Sequence, residues 1–448
     1  MAYENGWLVS SVSSTTTKWR DERNLALIRK ETRPSFQTLY HGRAVKSKWL
    51  VLFLIWLMMV VAYFDRINIS VAGPSIMAAL HISKTQFGIV LAAFTFGYGF
   101  MQAPGGHFAD RFGSRSLLIA AIIIWSVFTG FTGLAASLGL MIAIRVIFGF
   151  GEGLENGAQF KLIGEYFDPK ERSFANSVFL SAMALGPAIG TPTSTMLIAK
   201  VGWRNMFFVF ALVGLVVGAI LFALLPRDRK SLSSVRVVAE RKPAEPGGFR
   251  EALRQPVCWL CAAGYVMFNM AFWGFLSWVP TYLNQERHIA LKDLGLLGSL
   301  PYFSGFVGML IIGRLGSTVF SRHKAWLLSF CYLTTALSLF FALRADNAGS
   351  CVIGLSVSGF FLYSIFGPFW AIAIDLAPPE ARGVFTGSVN CCGQVGAFTS
   401  QLVIGWLADQ MKSFEGAILF MMGALVVGGI VMIALQRQLS TGIRVSKI

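Results

Sequence analysis

The stretch "WLVLFLIWLMMVVAYFDRINISVAG" (residues 49–73) opens with sixteen residues that carry no charge and then places Asp65 and Arg66 side by side. An uncharged apolar run of about 20 residues matches the ~30 Å hydrocarbon core of a bilayer at a rise of 1.5 Å per residue. Further along, "SLLIAAIIIWSVFTGFTGLAA" (116–136) repeats the pattern. Neither run alternates polar and apolar residues, so a β-barrel is excluded in favour of helices. The whole chain agrees: 448 residues, 55% hydrophobic and 13% charged, where a soluble domain carries about a quarter charged residues. The fold class is an all-α integral membrane protein.

Twelve spans are expected, at about 48–72, 85–105, 115–136, 139–165, 172–199, 203–225, 256–283, 292–314, 323–343, 348–375, 382–408 and 414–436. The polar segment 226–255 divides them six and six. This gives a tail (1–47), a six-helix bundle (48–225), a linker (226–255), a second six-helix bundle (256–436) and a second tail (437–448). Lys and Arg concentrate in the first tail, the linker and every second short connection, so these face the cytoplasm and both termini lie there. The net charge of +16 sits in those connections, which excludes nucleic acid as a partner and makes the lipid bilayer the partner instead. Six Cys show no metal-ligand spacing beyond one CxxC at the start of a span, so no metal and no cofactor are expected.

The halves echo each other at an offset of about 210 residues: "GEYFDPKERSFANSV" (164–178) resembles "AIDLAPPEARGVFTGSV" (373–389). Two repeated bundles joined by a cytoplasmic linker suit a rocking carrier with its site near the midplane, between the halves.

Charges at membrane depth cost at least ~2.5–3.5 kcal/mol each, so they face a partner or a cavity. Asp65 lies ~22 Å along its helix from the cytoplasmic side, and Arg145 ~9 Å below the opposite surface on span 4. The depths match, and a meeting of the two is expected. Glu152 falls ~10 Å deeper, near the midplane. Arg145, Glu152, Asn156 and Gln159 share a wedge of ~60° on span 4, the expected lining of a water-filled path, with Glu155 at its edge. Lys161 is expected to snorkel. Arg66 suits a substrate carboxylate, since guanidinium matches it bidentately and stays charged. Asp65 and Glu152 are the expected proton carriers, with Arg145 tuning them. An anion that competes for an Arg makes a neighbouring carboxylate easier to protonate. All five His lie at or beyond span ends and make poor proton relays.

Tyr63, Tyr98, Asn156, Gln159, Trp273, Trp370 and Asn390 are further candidates for substrate contact, each with static packing as the alternative. Met183, and Phe369 beside Trp370, make the pocket more apolar than a polyol would want, so a less hydroxylated or aromatic carboxylate stays open. Asp110, Arg111, Arg115, Glu165, Arg172, Asp375 and Arg382 cluster at cytoplasmic span ends as gate candidates.

"GGHFADRFGSR" (105–115) resembles the signature loop of the major facilitator superfamily, with a degenerate counterpart in "GRLGSTVFSRHK" (313–324). "YFDR", "FGYGFMQAPGG", "RVIFGFGEG" and "FLSWVPTYL" resemble, within it, the anion:cation symporter family. The resemblance implies the major facilitator fold. It also implies proton-coupled symport, by alternating access, of an organic anion such as an aldonate, hexuronate or aldarate. Its assignment of Asp65, Arg66, Arg145 and Glu152 agrees with the reading above. A monomer in a cell membrane, the bacterial inner membrane, is expected. The alternatives are an organic phosphate/phosphate antiporter, which would want a central Arg from each half, and a non-transporting nutrient sensor, which would want a soluble signalling domain. No nucleophile–base pair or nucleotide loop suggests an enzyme.

Overall fold

The computed structural model describes residues 35–168, 171–226, 256–377 and 382–445, and these are helical apart from short connections. By internal contacts the chain divides into Met1–Leu50 and Val51–Ile448. The first unit contributes the described start of one helix, and the second unit holds both bundles. The expected tail 1–34 and nearly all of the expected linker lie outside the described residues.

The first bundle comprises α1 (Ser35–Leu80), whose membrane-crossing part is Lys48–Leu80, α2 (Lys84–Phe112), α3 (Ser114–Leu134), α4 (Leu138–Gly153), α5 (Glu155–Tyr166) and α6 (Arg172–Leu224). The second comprises α7 (Pro256–Gln285), α8 (Leu291–Ser317), α9 (Lys324–Leu343), α10 (Ala348–Ser364), α11 (Phe366–Leu376), α12 (Arg382–Gln410) and α13 (Glu415–Val445). Among the described residues eight spans are long and apolar enough to cross a membrane, α10–α11 counted as one of them, and a ninth if the bent α2 counts as one. Three features bring the crossings to twelve. The helix α6 is two spans meeting at Gly202, whose φ of 81° favours glycine. The pairs α4–α5 and α10–α11 are single spans, each interrupted by one residue, Leu154 and Ile365. The helix α12 is long enough but rich in Ser, Thr, Gln and Asn.

The two interruptions fall in corresponding spans of the two bundles. Close approach of neighbours accompanies both. At Gly149 on α4 an added Cβ would lie 2.4 Å from the Phe94 carbonyl oxygen of α2. Glycine there lets the two backbones touch.

Caps fix the outer ends. Ser83 and Gln86 form a capping box at the start of α2, and Asn347 caps α10. Arg204 donates to the carbonyls of Gly133 and Ala135 at the end of α3. Arg287 does the same for Ala342, Leu343 and Ala345 at the end of α9. These two cations sit on the side that the charge bias leaves poor in Lys and Arg, and capping explains them, since a helix C-terminus attracts positive charge.

Candidate functional site

The side chain of Arg66 leaves α1 toward α4 and α5. Its Nε donates to Glu152 Oε2 at 2.7 Å, and its Nη2 stands 3.5 Å from Glu155 Oε1. Arg66 is 4% exposed, and Glu152 and Glu155 are 0% exposed. Glu152 is the last residue but one of α4, and Glu155 begins α5. The Leu154 N–H between them bonds back to the Gly151 carbonyl at 3.4 Å, an i→i−3 contact that tightens the chain at the break. Both carboxylates consequently reach one guanidinium.

Four rings box that guanidinium. Its central carbon lies 4.4 Å from the Tyr63 ring, 4.8 Å from Tyr98, 5.8 Å from Phe94 and 5.8 Å from Trp273. Arg is the cation that combines aromatic stacking with directed donation to carboxylates. Trp273 belongs to α7, so the second bundle closes the box that the first supplies.

Asp65 faces elsewhere, as the neighbour of a helical residue must, about 100° around the helix. Its Oδ1 accepts from Asn68 Nδ2 at 3.0 Å. Arg145 donates through Nη2 to Thr132 Oγ1 at 3.0 Å and lies 4.6 Å from the Phe148 ring. Among the described residues no ion pair joins Asp65 to Arg145. The expected meeting stops short of an ion pair, although the two charges act on each other electrostatically: matched depth along two helices leaves rotation about each axis undetermined, and Arg145 makes its hydrogen bond to α3. The guanidinium bonded to Glu152 is that of Arg66.

The polar wedge of span 4 does not line an open water path in this structure either. Arg145, Glu152 and Gln159 are buried, and the stripe faces side chains of α1, α2 and α3. Asn156 Nδ2 donates to Tyr98 Oη at 2.8 Å, and Gln159 Nε2 donates to Glu155 Oε2 at 3.1 Å. The burial is nevertheless incompletely satisfied. Asp65 Oδ2, Arg66 Nη2, Arg145 Nε, Glu152 Oε1, Glu155 Oε1 and Gln159 Oε1 all lack a hydrogen-bond partner. Unmade bonds of this kind cost about 1–3 kcal/mol each, more when charged. Their concentration at one place marks a site that spends stability on function.

A second cluster adjoins the box. Asn390 Nδ2 on α12 donates to Gln102 Oε1 on α2 at 2.5 Å, and Tyr265 Oη on α7 donates to Asn390 Oδ1 at 3.4 Å. Phe369 stacks on Tyr265 at 4.6 Å, and Trp370 meets it edge-on at 5.2 Å. Gln102 lies one helical turn from Tyr98, on the same face. Sequence reasoning missed Phe94, Gln102 and Tyr265 as site residues and placed Glu155 only at the edge of the wedge. The i+4 spacing of Gln102 from Tyr98, and the two turns separating Tyr265 from Trp273, were the available signals.

The gate candidates hold contacts within their own bundles. Lys161 Nζ pairs with the exposed Asp110 Oδ1 at 2.8 Å and also donates to the Ala109 carbonyl. Lys324 pairs with Asp375 at 2.8 Å. Both pairs join residues 51 apart in sequence, with acid and base exchanged between the bundles. Arg115 donates to the Phe222 carbonyl, Arg172 to the carbonyls of Gly164 and Phe167, and Arg111 lies over Phe112. Glu165 sits in the last turn of α5, and the side chain of Arg382 lies outside the described residues.

At the other end the bundles are bonded to each other. Asp409, in the last turn of α12, accepts from Lys84 N at 3.0 Å, from Thr85 N at 2.6 Å and from Thr85 Oγ1, all at the start of α2. Thr281 Oγ1 on α7 donates to the Ser70 carbonyl of α1 at 3.2 Å.

Two membrane-spanning bundles, with a buried and partly unsatisfied charge site in the first that Trp273 of the second closes, have the build of a membrane transporter. The chain belongs to the major facilitator superfamily, whose sequence profile matches residues 55–400. It is 27% identical over 403 residues to a hexuronate transporter of Bacillus subtilis, spanning 88% of this chain and 95% of that one. It is 31% identical over 389 residues to a probable sulfoacetate transporter of Cupriavidus necator, spanning 83% and 90%. Against a probable galactarate/D-glucarate transporter of Escherichia coli it is 28% identical over 409 residues, spanning 84% and 92%. Among solved structures, a bacterial homolog of the human lysosomal transporter Spinster superposes with a TM-score of 0.71 at 17% identity, covering 89% of this chain and 97% of that one, a likeness of fold. The protein is a multi-pass membrane transporter and not an enzyme.

Proposed function

We propose that this carrier couples the movement of a small organic anion to protons by alternating access, in a bacterial inner membrane with both termini cytoplasmic and as a monomer. The observation that carries the reading is the buried contact of Arg66 with Glu152 at 2.7 Å inside the first bundle, under the Trp273 ring of the second. A substrate carboxylate or sulfonate competes with the carboxylates for that guanidinium. A buried carboxylate deprived of its cation is costly to leave charged, so a proton binds as the anion does. Asp65 and Glu152 are the proton carriers, and Arg145 adds positive charge nearby. Tyr63, Tyr98, Asn156, Gln159, Trp273, Trp370 and Asn390 shape the space around the anion.

The relatives named for hexuronate and galactarate/D-glucarate support a sugar acid. The relative named for sulfoacetate, together with the Tyr265–Phe369 stack, supports a smaller and less hydroxylated anion as the second reading. An organic phosphate exchanger is disfavoured, because among the described residues no Arg of α7 to α13 reaches the Arg66 box. Counterflow in proteoliposomes, with D-glucuronate, galactarate, D-glucarate, D-galactonate and sulfoacetate in turn, tests the substrate class. Accumulation driven by an imposed pH gradient tests the coupling. An anion that exchanges but never accumulates on an inward proton gradient would sink the proton reading.

A further inference from the structure

The box around Arg66 holds a carboxylate, Glu155, that is not among the expected proton carriers. The buried set comprises two guanidinium groups, Arg66 and Arg145, and three carboxylates, Asp65, Glu152 and Glu155, all at most 4% exposed. Fully ionised, it carries a surplus negative charge before any substrate arrives. An incoming anion adds to that surplus where the low dielectric makes like charges most costly.

The two carboxylates on Arg66 are held differently. Glu152 accepts a hydrogen bond from Nε at 2.7 Å. Glu155 Oε1 stands 3.5 Å from Nη2, close enough for ionic attraction but without a hydrogen bond. Both Nη2 and Glu155 Oε1 are buried and lack a hydrogen-bond partner. The charged groups facing Glu155 are Arg66 from α1 and Glu152 from α4. Its own helix adds the neutral Gln159, which donates to the other carboxylate oxygen at 3.1 Å.

We propose that Glu155 is a further proton-carrying residue and the one the substrate displaces: the anion takes the Nη2 edge of Arg66 from Glu155, which leaves that edge as a neutral acid. The step is one of ligand exchange and protonation. A proton from the outer side binds Glu155 Oε1, and an oxygen of the anion replaces that atom at Nη2. On the inner side the anion departs, the proton passes to water, and Glu155 returns to Nη2. One proton and one anion move through this residue, while Glu152 keeps Arg66 oriented through Nε. The proposal rests on the proton-coupled reading above.

The test measures proton stoichiometry as the accumulation limit in proteoliposomes at a fixed pH gradient with the membrane potential clamped. It uses whichever of D-glucuronate, galactarate, D-glucarate, D-galactonate and sulfoacetate exchanges on the wild type. One coupled proton is worth a factor of ten in that limit per pH unit. Glu155→Gln should lower the limit about tenfold at a gradient of one unit, and Glu155→Asp, which keeps a carboxylate, should restore it. A Glu155→Gln limit equal to wild type overturns the proposal while leaving proton coupling through Asp65 or Glu152 intact. No proton-driven accumulation by the wild type would overturn both readings. A readout that needs no variant comes from dicyclohexylcarbodiimide, which attacks protonated carboxyls in apolar surroundings. Mass spectrometry of the wild type should show Glu155 labelled at least threefold more with the exchanging anion present, and unchanged or reduced labelling overturns the proposal.

Discussion

At the residue scale the informative feature is that Arg66 makes its ionic contacts within an aromatic box. Lys could supply the charge but not the planar fork that meets Glu152 through Nε while lying against the rings of Tyr63 and Tyr98. Arg66→Lys should reach the membrane in normal amounts yet lose at least tenfold in counterflow rate, a loss of about 1.4 kcal/mol or more in transition-state stabilisation. Wild-type exchange by that variant would remove Arg66 from the substrate path. Tyr98→Phe removes the acceptor of the Asn156 bond and leaves a polar group short of a partner, at about 1–3 kcal/mol. The expected outcome is a lower melting temperature in detergent. Arg66 was legible from sequence because a charge beside sixteen uncharged residues demands a reason. Glu155 was legible only as the edge of a wedge on an ideal helix. The break at Leu154, which no periodicity announces, carries it onto the guanidinium. Asp65 and Arg145 come within electrostatic reach without forming an ion pair, for the complementary reason: depth is set by rise per residue, whereas azimuth is set by packing.

At the scale of elements, the spans were readable wherever apolar runs were long, and the interruptions were not. The two broken spans, α4–α5 and α10–α11, read as continuous hydrophobic blocks. Glycine explains why α4 can press against α2. At Gly149 a methyl group would have to displace the backbone of Phe94 and Tyr98, since its Cβ would lie 2.4 Å and 2.8 Å from their oxygen and nitrogen. Gly149→Ala should therefore destabilise the first bundle by about 1–3 kcal/mol, read as a lower midpoint in thermal unfolding. An unchanged midpoint would mean that the α2–α4 contact gives way freely. The outer connection between α12 and α2 is a different kind of element contact. Asp409 there does for a neighbouring bundle what an N-cap residue does for its own helix, accepting from the first orphan N–H groups. Sequence could not supply that bond, because its partners are separated by more than 320 residues.

At the scale of the whole molecule, the described bonds between bundles are unequally placed. Asp409 and Thr281 join the bundles at the end expected to face outward, and Asn390 joins Gln102 farther along α2, whereas the described contacts of Asp110, Lys161, Lys324, Asp375, Arg115 and Arg172 stay inside one bundle or the other. In the proposed rocking cycle the Asp409 and Thr281 bonds must break for that end to open, so the Asp409 bonds would serve there as a latch. Replacing Asp409 by Ala removes three hydrogen bonds at once and should shift the population toward the outward-open form. A cysteine placed at Ser70, which is buried beneath Thr281, would then react severalfold faster with a membrane-impermeant maleimide added outside. Holding the latch shut is the converse experiment. Cysteines at Thr85 and Asp409 occupy positions already in contact, and a disulfide between them would tie α2 to α12. Oxidation of that double variant should abolish exchange, and a reductant should restore it. Full exchange with the bond demonstrably formed would show that the outer ends of α2 and α12 stay together throughout the cycle, and the rocking of the bundles would have to pivot there instead of opening there.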